Sequence, residues 1–145
     1  MNRLYRGLLI VPVTAVAVGC GTIRDMIKDM QHIHGCVTQR SSAQAININM
    51  TTSKRFTIGL VNAPIDTLPT AARTAAVRQV AECVRDNYRR YTSLTEVAVV
   101  FIHRRTTGGV KVSESGAPII YTTRELGQPA SPPADSAAGR TKAPN

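Results

Sequence analysis

The chain has 145 residues, of which 43% are apolar, enough for one domain with an ordinary packed core. Aromatic residues make up 4% and tryptophan is absent, so the stacking side chains of a sugar platform or a single-strand nucleic-acid surface are scarce. The formal charge is +9, and residues 20–126, with 14 basic and 8 acidic residues, keep +6. This excess favours anionic partners, although it is equally typical of a soluble surface that has no dedicated partner.

The first twenty residues differ in composition from the rest. Two arginines precede an apolar run at 8–18, and small residues then lead to Cys20. The run is shorter than the ~20 apolar residues of a spanning helix and contains Pro12, which argues against an uncleaved membrane anchor. The segment Ala17-Val18-Gly19-Cys20 resembles the lipobox of bacterial lipoproteins, with alanine where leucine is usual.

This resemblance implies that residues 1–19 are a signal peptide and that Cys20 becomes the lipidated first residue of the mature protein. The chain would then belong to the cell envelope, held to a membrane by acyl chains such as palmitate and facing the periplasm or the exterior. Whether that membrane is the inner or the outer one stays open. The partners expected there are the membrane itself, another protein or an anionic envelope polymer, and the location argues against nucleic acid.

Cysteine usage is informative once Cys20 carries lipid. Two cysteines then remain, Cys36 and Cys83, and an oxidising compartment favours a disulfide between them. In the alternative, Cys83 is a small core residue of a helix and Cys36 is a loop thiol. Two cysteines alone match no metal-site spacing, and we predict neither a metal nor another cofactor.

Residues 20–42 are predicted to form the lipid-anchored N-terminus and a short helix. Thr22 is the predicted N-cap, and Gly35 is expected just past the helix end. Apolar residues spaced by three and four make one stripe: Ile23, Met26, Ile27, Met30 and Ile33. We expect this stripe to pack on the domain, because the polar face carries acids as well as bases; the alternative is a stripe on the bilayer surface.

The α+β domain is predicted to cover residues 43–126. Alternating apolar residues indicate strands at 43–50 and 55–62, and the polar link between them indicates a hairpin. A long helix is predicted at 70–91, capped by Asp66 or Thr67, and the segment 96–102 reads as a central strand covered on both faces.

Returning strands are expected near 110–112 and 119–121, while residues 127–145 are rich in Pro, Ala, Ser and Gly and are predicted to be a disordered tail. Together these elements predict a two-layer α+β sandwich, with helices on one face of a mostly antiparallel sheet in the order α-β-β-α-β-β.

The long helix has a charge pattern that supports it locally. Arg78 with Glu82 and Asp86 with Arg90 are four residues apart and can pair. Its last turn is basic, at Arg89 and Arg90, which we interpret as complementing the helix dipole rather than as an anion site.

No motif in the chain predicts a reaction. Gly108-Gly109 lies between two strands and indicates a turn, not a phosphate loop. His32 and His34 are two residues apart on a helix, so they point apart and cannot share a metal. His103 ends a strand beside two arginines, with no carboxylate nearby in sequence to orient it.

The acidic residues do not converge in the sequence either, and Ser113 and Glu114 are strand neighbours that point to opposite faces. We therefore predict a non-catalytic binding module. A small envelope hydrolase with a site assembled from separated residues is the alternative, and a structural or lysis-type lipoprotein is the third. An exposed apolar patch or a basic groove would favour binding, whereas a pocket containing a histidine paired with a carboxylate would favour an enzyme.

Overall fold

The computed structural model describes residues 17–51 and 54–129, so most of the predicted signal segment and the predicted tail from residue 130 onward lie outside it. The two short 3₁₀ turns are Pro64–Thr67 and Tyr91–Ser93. The helices and strands, in chain order, are α1 (Ala17–Ser41), β1 (Ala45–Thr51), β2 (Arg55–Val61), α2 (Thr70–Asn87), β3 (Glu96–Thr107), β4 (Val110–Ser115), β5 (Ile119–Thr122) and α3 (Thr123–Leu126).

These strands form one five-stranded mixed sheet around β3. The strand order is β1-β2-β3-β4. Strand β5 lies on the same side of β3 as β4: β5 pairs with the first part of β3, and β4 pairs with its second part. The β1–β2 hairpin and both returning strands are antiparallel, while β2 and β3 are parallel because α2 carries the chain back between them. The predicted α+β sandwich and its element order are confirmed.

The hydrophobic core lies between the helices and one face of the sheet. In β2 and β3 this face carries Phe56, Ile58 and Leu60 beside Val97, Val99 and Phe101, all buried. Val100 and Ile102 point the other way and are half-exposed, so the prediction that β3 is covered on both faces is wrong there. A Cβ at position 59 would come 2.8 Å from Ile102 Cδ1, which indicates that Ile102 lies across Gly59.

A disulfide joins the two long helices. Cys36 of α1 and Cys83 of α2 are bonded, with their Cα atoms 5.8 Å apart, so the predicted pairing is present. Ile33 and Val37, on the same part of α1, are fully buried. Residues 29–41 of α1 therefore belong to the same core as the sheet.

Helix α1 is longer than its sequence predicts. It begins at Ala17, so Thr22 lies inside it and is not its cap, and it passes through Gly35 to Ser41. A glycine inside a helix costs only about 1 kcal/mol, less than the burial of Val37 in the next turn contributes. The helix stops where Ser42 adopts a φ of 50°.

Helix α2 begins at Thr70, as predicted, but its N-cap residue and its C-terminal end differ from the prediction. Pro69 is its N-cap and, as a proline, offers no side-chain hydrogen bond. The predicted caps have other contacts, since the Asp66 carboxylate is bound by Arg73 and the Thr67 hydroxyl donates to the carbonyl of Pro64. At its C-terminus α2 ends at Asn87, since Tyr88 has extended backbone angles and turns its ring into the core.

Of the two ion pairs predicted along α2, one forms. Arg78 Nε lies 3.3 Å from Glu82 Oε1, as expected, whereas Asp86 pairs with its neighbour Arg85 and not with Arg90. Because Arg90 lies beyond the helix end, it is out of reach of a partner four residues earlier.

Arg89 connects α1 to the segment after α2. Its Nε lies 3.2 Å from Asp29 Oδ1, its backbone N–H donates to Asp29 Oδ2, and its Nη1 lies 3.0 Å from Asp25 Oδ1. The interpretation of Arg89 as a partner of the helix dipole is therefore wrong, because it binds carboxylates across the helix pair. Asp29 is 5% exposed, so its carboxylate is largely removed from water and paired with Arg89 instead.

We expect that replacing both Cys36 and Cys83 by alanine lowers the free energy of unfolding by about 4 kcal/mol before any relief of strain, because the bridge closes a loop of 47 residue steps. Denaturant unfolding of the purified protein measures this loss. The Cys36→Ala single variant should match the double variant, since neither can form the bridge. A double variant as stable as the oxidised parent would contradict the prediction.

We expect that Asp29→Ala lowers the free energy of unfolding by about 2–3 kcal/mol, because it leaves the Arg89 backbone N–H and guanidinium without their buried acceptor. Asp25→Ala is the matched control. It removes a half-exposed carboxylate from the same arginine and should cost less than about 1 kcal/mol. Equal losses in the two variants would show that the burial of Asp29 does not matter.

Candidate functional site

An apolar groove runs between the middle of α1 and the edge strand β1. It has a volume of about 420 Å³. Its lining residues are Met26, Ile27, Met30, Gln31 and His34 from α1, and Ile46 and Ile48 from β1. Both strand residues lie on the face of β1 that is turned toward the helices, because they pair with Leu60 and Ile58. We call this feature the groove.

Burial decreases steadily toward the groove. Ile58 and Leu60 of β2 are fully buried, whereas their partners Ile48 and Ile46 in β1 are only partly buried. On the helix side, Met26 is 45% and Ile27 is 51% exposed. Helix α1 therefore extends over the edge of the sheet without closing against it, which leaves apolar surface on both walls.

Strand β1 also presents an unprotected backbone edge along the groove. Among the described strands it pairs with β2 alone. Its seven residues include no charge and no proline, the features by which natural edge strands commonly avoid pairing with another chain. An extended segment placed beside β1 would complete its hydrogen bonds, and α1 would cover one face of that segment.

The chemistry of the groove is that of a binding surface. Its polar side chains are those of Gln31 and His34, which are both exposed. Apolar walls with one or two polar groups at the margin can select a chain by shape and by backbone hydrogen bonds. His34 lines the groove and His32 does not.

A polar cluster joins the turn after β2 to α2 and to the second half of β3. Asp66 Oδ2 is 2.9 Å from His103 Nε2, and Asp66 Oδ1 is 2.9 Å from Arg73 Nη2. The Arg73 guanidinium also stacks on Phe101, 4.9 Å from the ring centroid. Sequence reasoning found no carboxylate for His103, because Asp66 is far away in the chain and reaches it only through the parallel β2–β3 pairing.

This cluster has one component of an acid–base site but lacks the others. A carboxylate that orients an imidazole is typical of general bases. His103, however, is 59% exposed, and no hydroxyl or thiol among the described residues hydrogen-bonds to it. Asp66 ties the loop after β2 to α2 and β3, so the contacts indicate a structural clamp.

The remaining sequence candidates lie apart from both features. Cys20 lies in the first turn of α1, and Gly108 and Gly109 form the predicted turn between β3 and β4 with positive φ angles. Glu114 faces Arg105 across that hairpin, 3.3 Å away, and forms no group with Ser113. No cluster of three or more potential metal ligands occurs in the described part of the chain.

The capping box that starts α3 was missed by sequence reasoning, although its signal is visible as Thr122-x-x-Glu125. Hydrogen bonds from the Thr122 backbone and side chain lower the pKa of Glu125 below its ordinary value.

Near the groove, Tyr88 donates a hydrogen bond to Met50 Sδ at 3.3 Å, and burial raises the pKa of this phenol, so it stays neutral.

Comparison with models of known protein families, with curated proteins and with solved structures finds no match. Within residues 17–51 and 54–129, none of the helices combines the length and the hydropathy that crossing a membrane requires.

Proposed function

We propose that this chain is a lipid-anchored protein of a bacterial cell envelope, and that its domain is a non-catalytic interaction module which binds an extended segment of a partner protein in the groove. The observation that carries the binding role is the groove itself, an apolar channel bordered by an uncharged edge strand. The lipobox-like segment that ends at Cys20 supports the proposed location and lipid anchor.

The partner's chemistry follows from the two walls. A strand added to β1 would point alternate side chains at Met26, Met30 and Ile48, so those side chains should be apolar. Each half-exposed isoleucine or methionine that becomes covered would contribute about 1 kcal/mol, half the value for complete burial. Backbone hydrogen bonds to β1 would add affinity that does not depend on the partner's sequence.

The anchor is compatible with the way α1 is held. Cleavage before Cys20 would remove Ala17–Gly19 from the helix, but the ion pairs that tie α1 to Arg89 are made by Asp25 and Asp29, which the mature chain keeps. The folded unit would therefore stay intact after processing, and its first turn would connect it to the lipid.

A small envelope hydrolase remains the second candidate, favoured by the contact between Asp66 and His103. The exposure of this histidine and its distance along the fold from the groove argue for separate roles. Under our proposal, His103→Ala leaves partner binding unchanged.

We expect the natively expressed protein to begin at Cys20 and to carry acyl mass, because the signal resembles that of a lipoprotein. Intact mass measurement combined with membrane fractionation tests this. Cys20→Ala should either stay an uncut precursor or leave the membrane fraction, and Cys36→Ala serves as the control that keeps the anchor. A full-length, unmodified parent chain would contradict the proposed address.

We expect a photo-crosslinking amino acid at Gln31, on the groove wall, to form a discrete adduct with the partner in living host cells. The same substitution at Gln39, an exposed glutamine of the same helix outside the groove, is the matched control and should give none. Mass spectrometry of the adduct should identify a segment of alternating apolar residues.

Two further variants sharpen this experiment. Met26→Glu changes a side chain that is 45% exposed, so the fold should tolerate it while the Gln31 adduct is lost. His103→Ala should leave the adduct in place. Equal adducts at Gln31 and Gln39, or an adduct that Met26→Glu does not affect, would refute binding in the groove.

A further inference from the structure

Next to the groove, α1 presents a second surface, which shares Ile27 and Gln31 with the groove. Ile23, Arg24, Ile27, Lys28 and Gln31 line a shallow depression of about 410 Å³. Their spacing places them on one side of the helix, and we call this surface the N-terminal face of α1. Ile23 is 58% and Ile27 is 51% exposed, the most exposed isoleucines of the described residues.

Helix α1 separates its charges between two sides. Asp25 and Asp29, four residues apart, both bind Arg89 and are thereby turned toward the domain. Arg24 and Lys28, also four residues apart, lie beside Ile23 and Ile27 on the N-terminal face. The acids of this helix are thus paired with Arg89, while the N-terminal face combines apolar side chains with Arg24 and Lys28.

That combination matches one kind of surface in particular. Helices that lie in a membrane interface carry apolar residues bordered by lysine and arginine, which attract anionic head groups. A protein partner that covered the same face would have to bury the exposed guanidinium of Arg24. The face also begins three residues after Cys20, where the proposed lipid would enter the bilayer.

We propose that the N-terminal face of α1 lies on the bilayer, with Ile23 and Ile27 at the acyl boundary and Arg24 and Lys28 among anionic head groups. This inference rests on the proposed lipid anchor at Cys20. The anchor holds the helix start at the membrane, and the face fixes the orientation of the domain, so that the groove opens beside the lipid surface.

The chain contains no tryptophan, so a single introduced indole reports its surroundings without background. The probes are Ile23→Trp and Ile27→Trp, at positions where the exposed side chain leaves room, and Gln39→Trp on the same helix is the control. Protein purified from host membranes is placed in vesicles of phosphatidylethanolamine and phosphatidylglycerol that contain brominated phosphatidylcholine, which quenches indoles at acyl depth.

We expect indoles at 23 and 27 to shift their emission to the blue and to lose the larger part of it to the brominated lipid, whereas the indole at 39 keeps a water-like spectrum. Adding Arg24→Glu and Lys28→Glu, or omitting phosphatidylglycerol, should reduce the quenching. Quenching that is independent of anionic lipid would overturn the head-group contact.

The remaining outcomes separate this inference from the proposed anchor. Lipidated protein whose indoles at 23 and 27 resemble that at 39 would overturn the membrane face and leave the anchor standing. A blue shift without quenching would overturn it as well, because the face would then be covered by protein, either a partner or a second copy. If the intact mass shows no lipid, quenching of the same variants by added vesicles would still support the membrane face. Absence of quenching would then refute both the membrane face and the lipid anchor.

Discussion

Helix α1 is fastened to the rest of the domain at two places, the disulfide from Cys36 to Cys83 and the buried carboxylate of Asp29 on Arg89. The two attachments are seven residues, or about two turns, apart along the helix. Ile33 between them and Val37 next to Cys36 are buried in the core, so packing and the two attachments together fix both the position and the rotation of α1. Every surface of α1, including its wall of the groove, is placed by these contacts.

That fixed rotation explains how apolar side chains stay exposed on a small domain. Met26 and Ile27 would gain by folding down on Ile48 and closing the groove, yet the ion pair to Arg89 holds the same turns of α1 above the sheet edge. Strand β1 cannot move toward them, because it is paired with β2 along its whole length. The groove therefore stays open because α1 is held by its contacts with α2 and Arg89, and β1 is held by its pairing with β2.

Sequence patterns predicted the parts of this structure that depend on neighbours in the chain. Alternation gave the buried faces of the strands, and cysteine counting gave the bridge. Apart from the capping box of α3, whose signal is local, the misses depend on distant residues. Gly35 was read as a helix end because the packing of Val37 beyond it could not be seen, and Asp66 was read as a cap because its partner His103 arrives from another strand. The groove was missed because periodicity describes one element and not the gap between two.

The two proposed surfaces meet at Ile27 and Gln31, which border both the groove and the N-terminal face of α1. They constrain each other for that reason. A segment bound beside β1 would lie about one helix diameter, ~10 Å, from the lipid head groups. A large globular partner could not reach the groove without meeting the bilayer, whereas an extended tail, or a segment next to a membrane anchor, could. The geometry thus favours a partner that is itself attached to the same membrane, because such a partner is already held at the height of the groove.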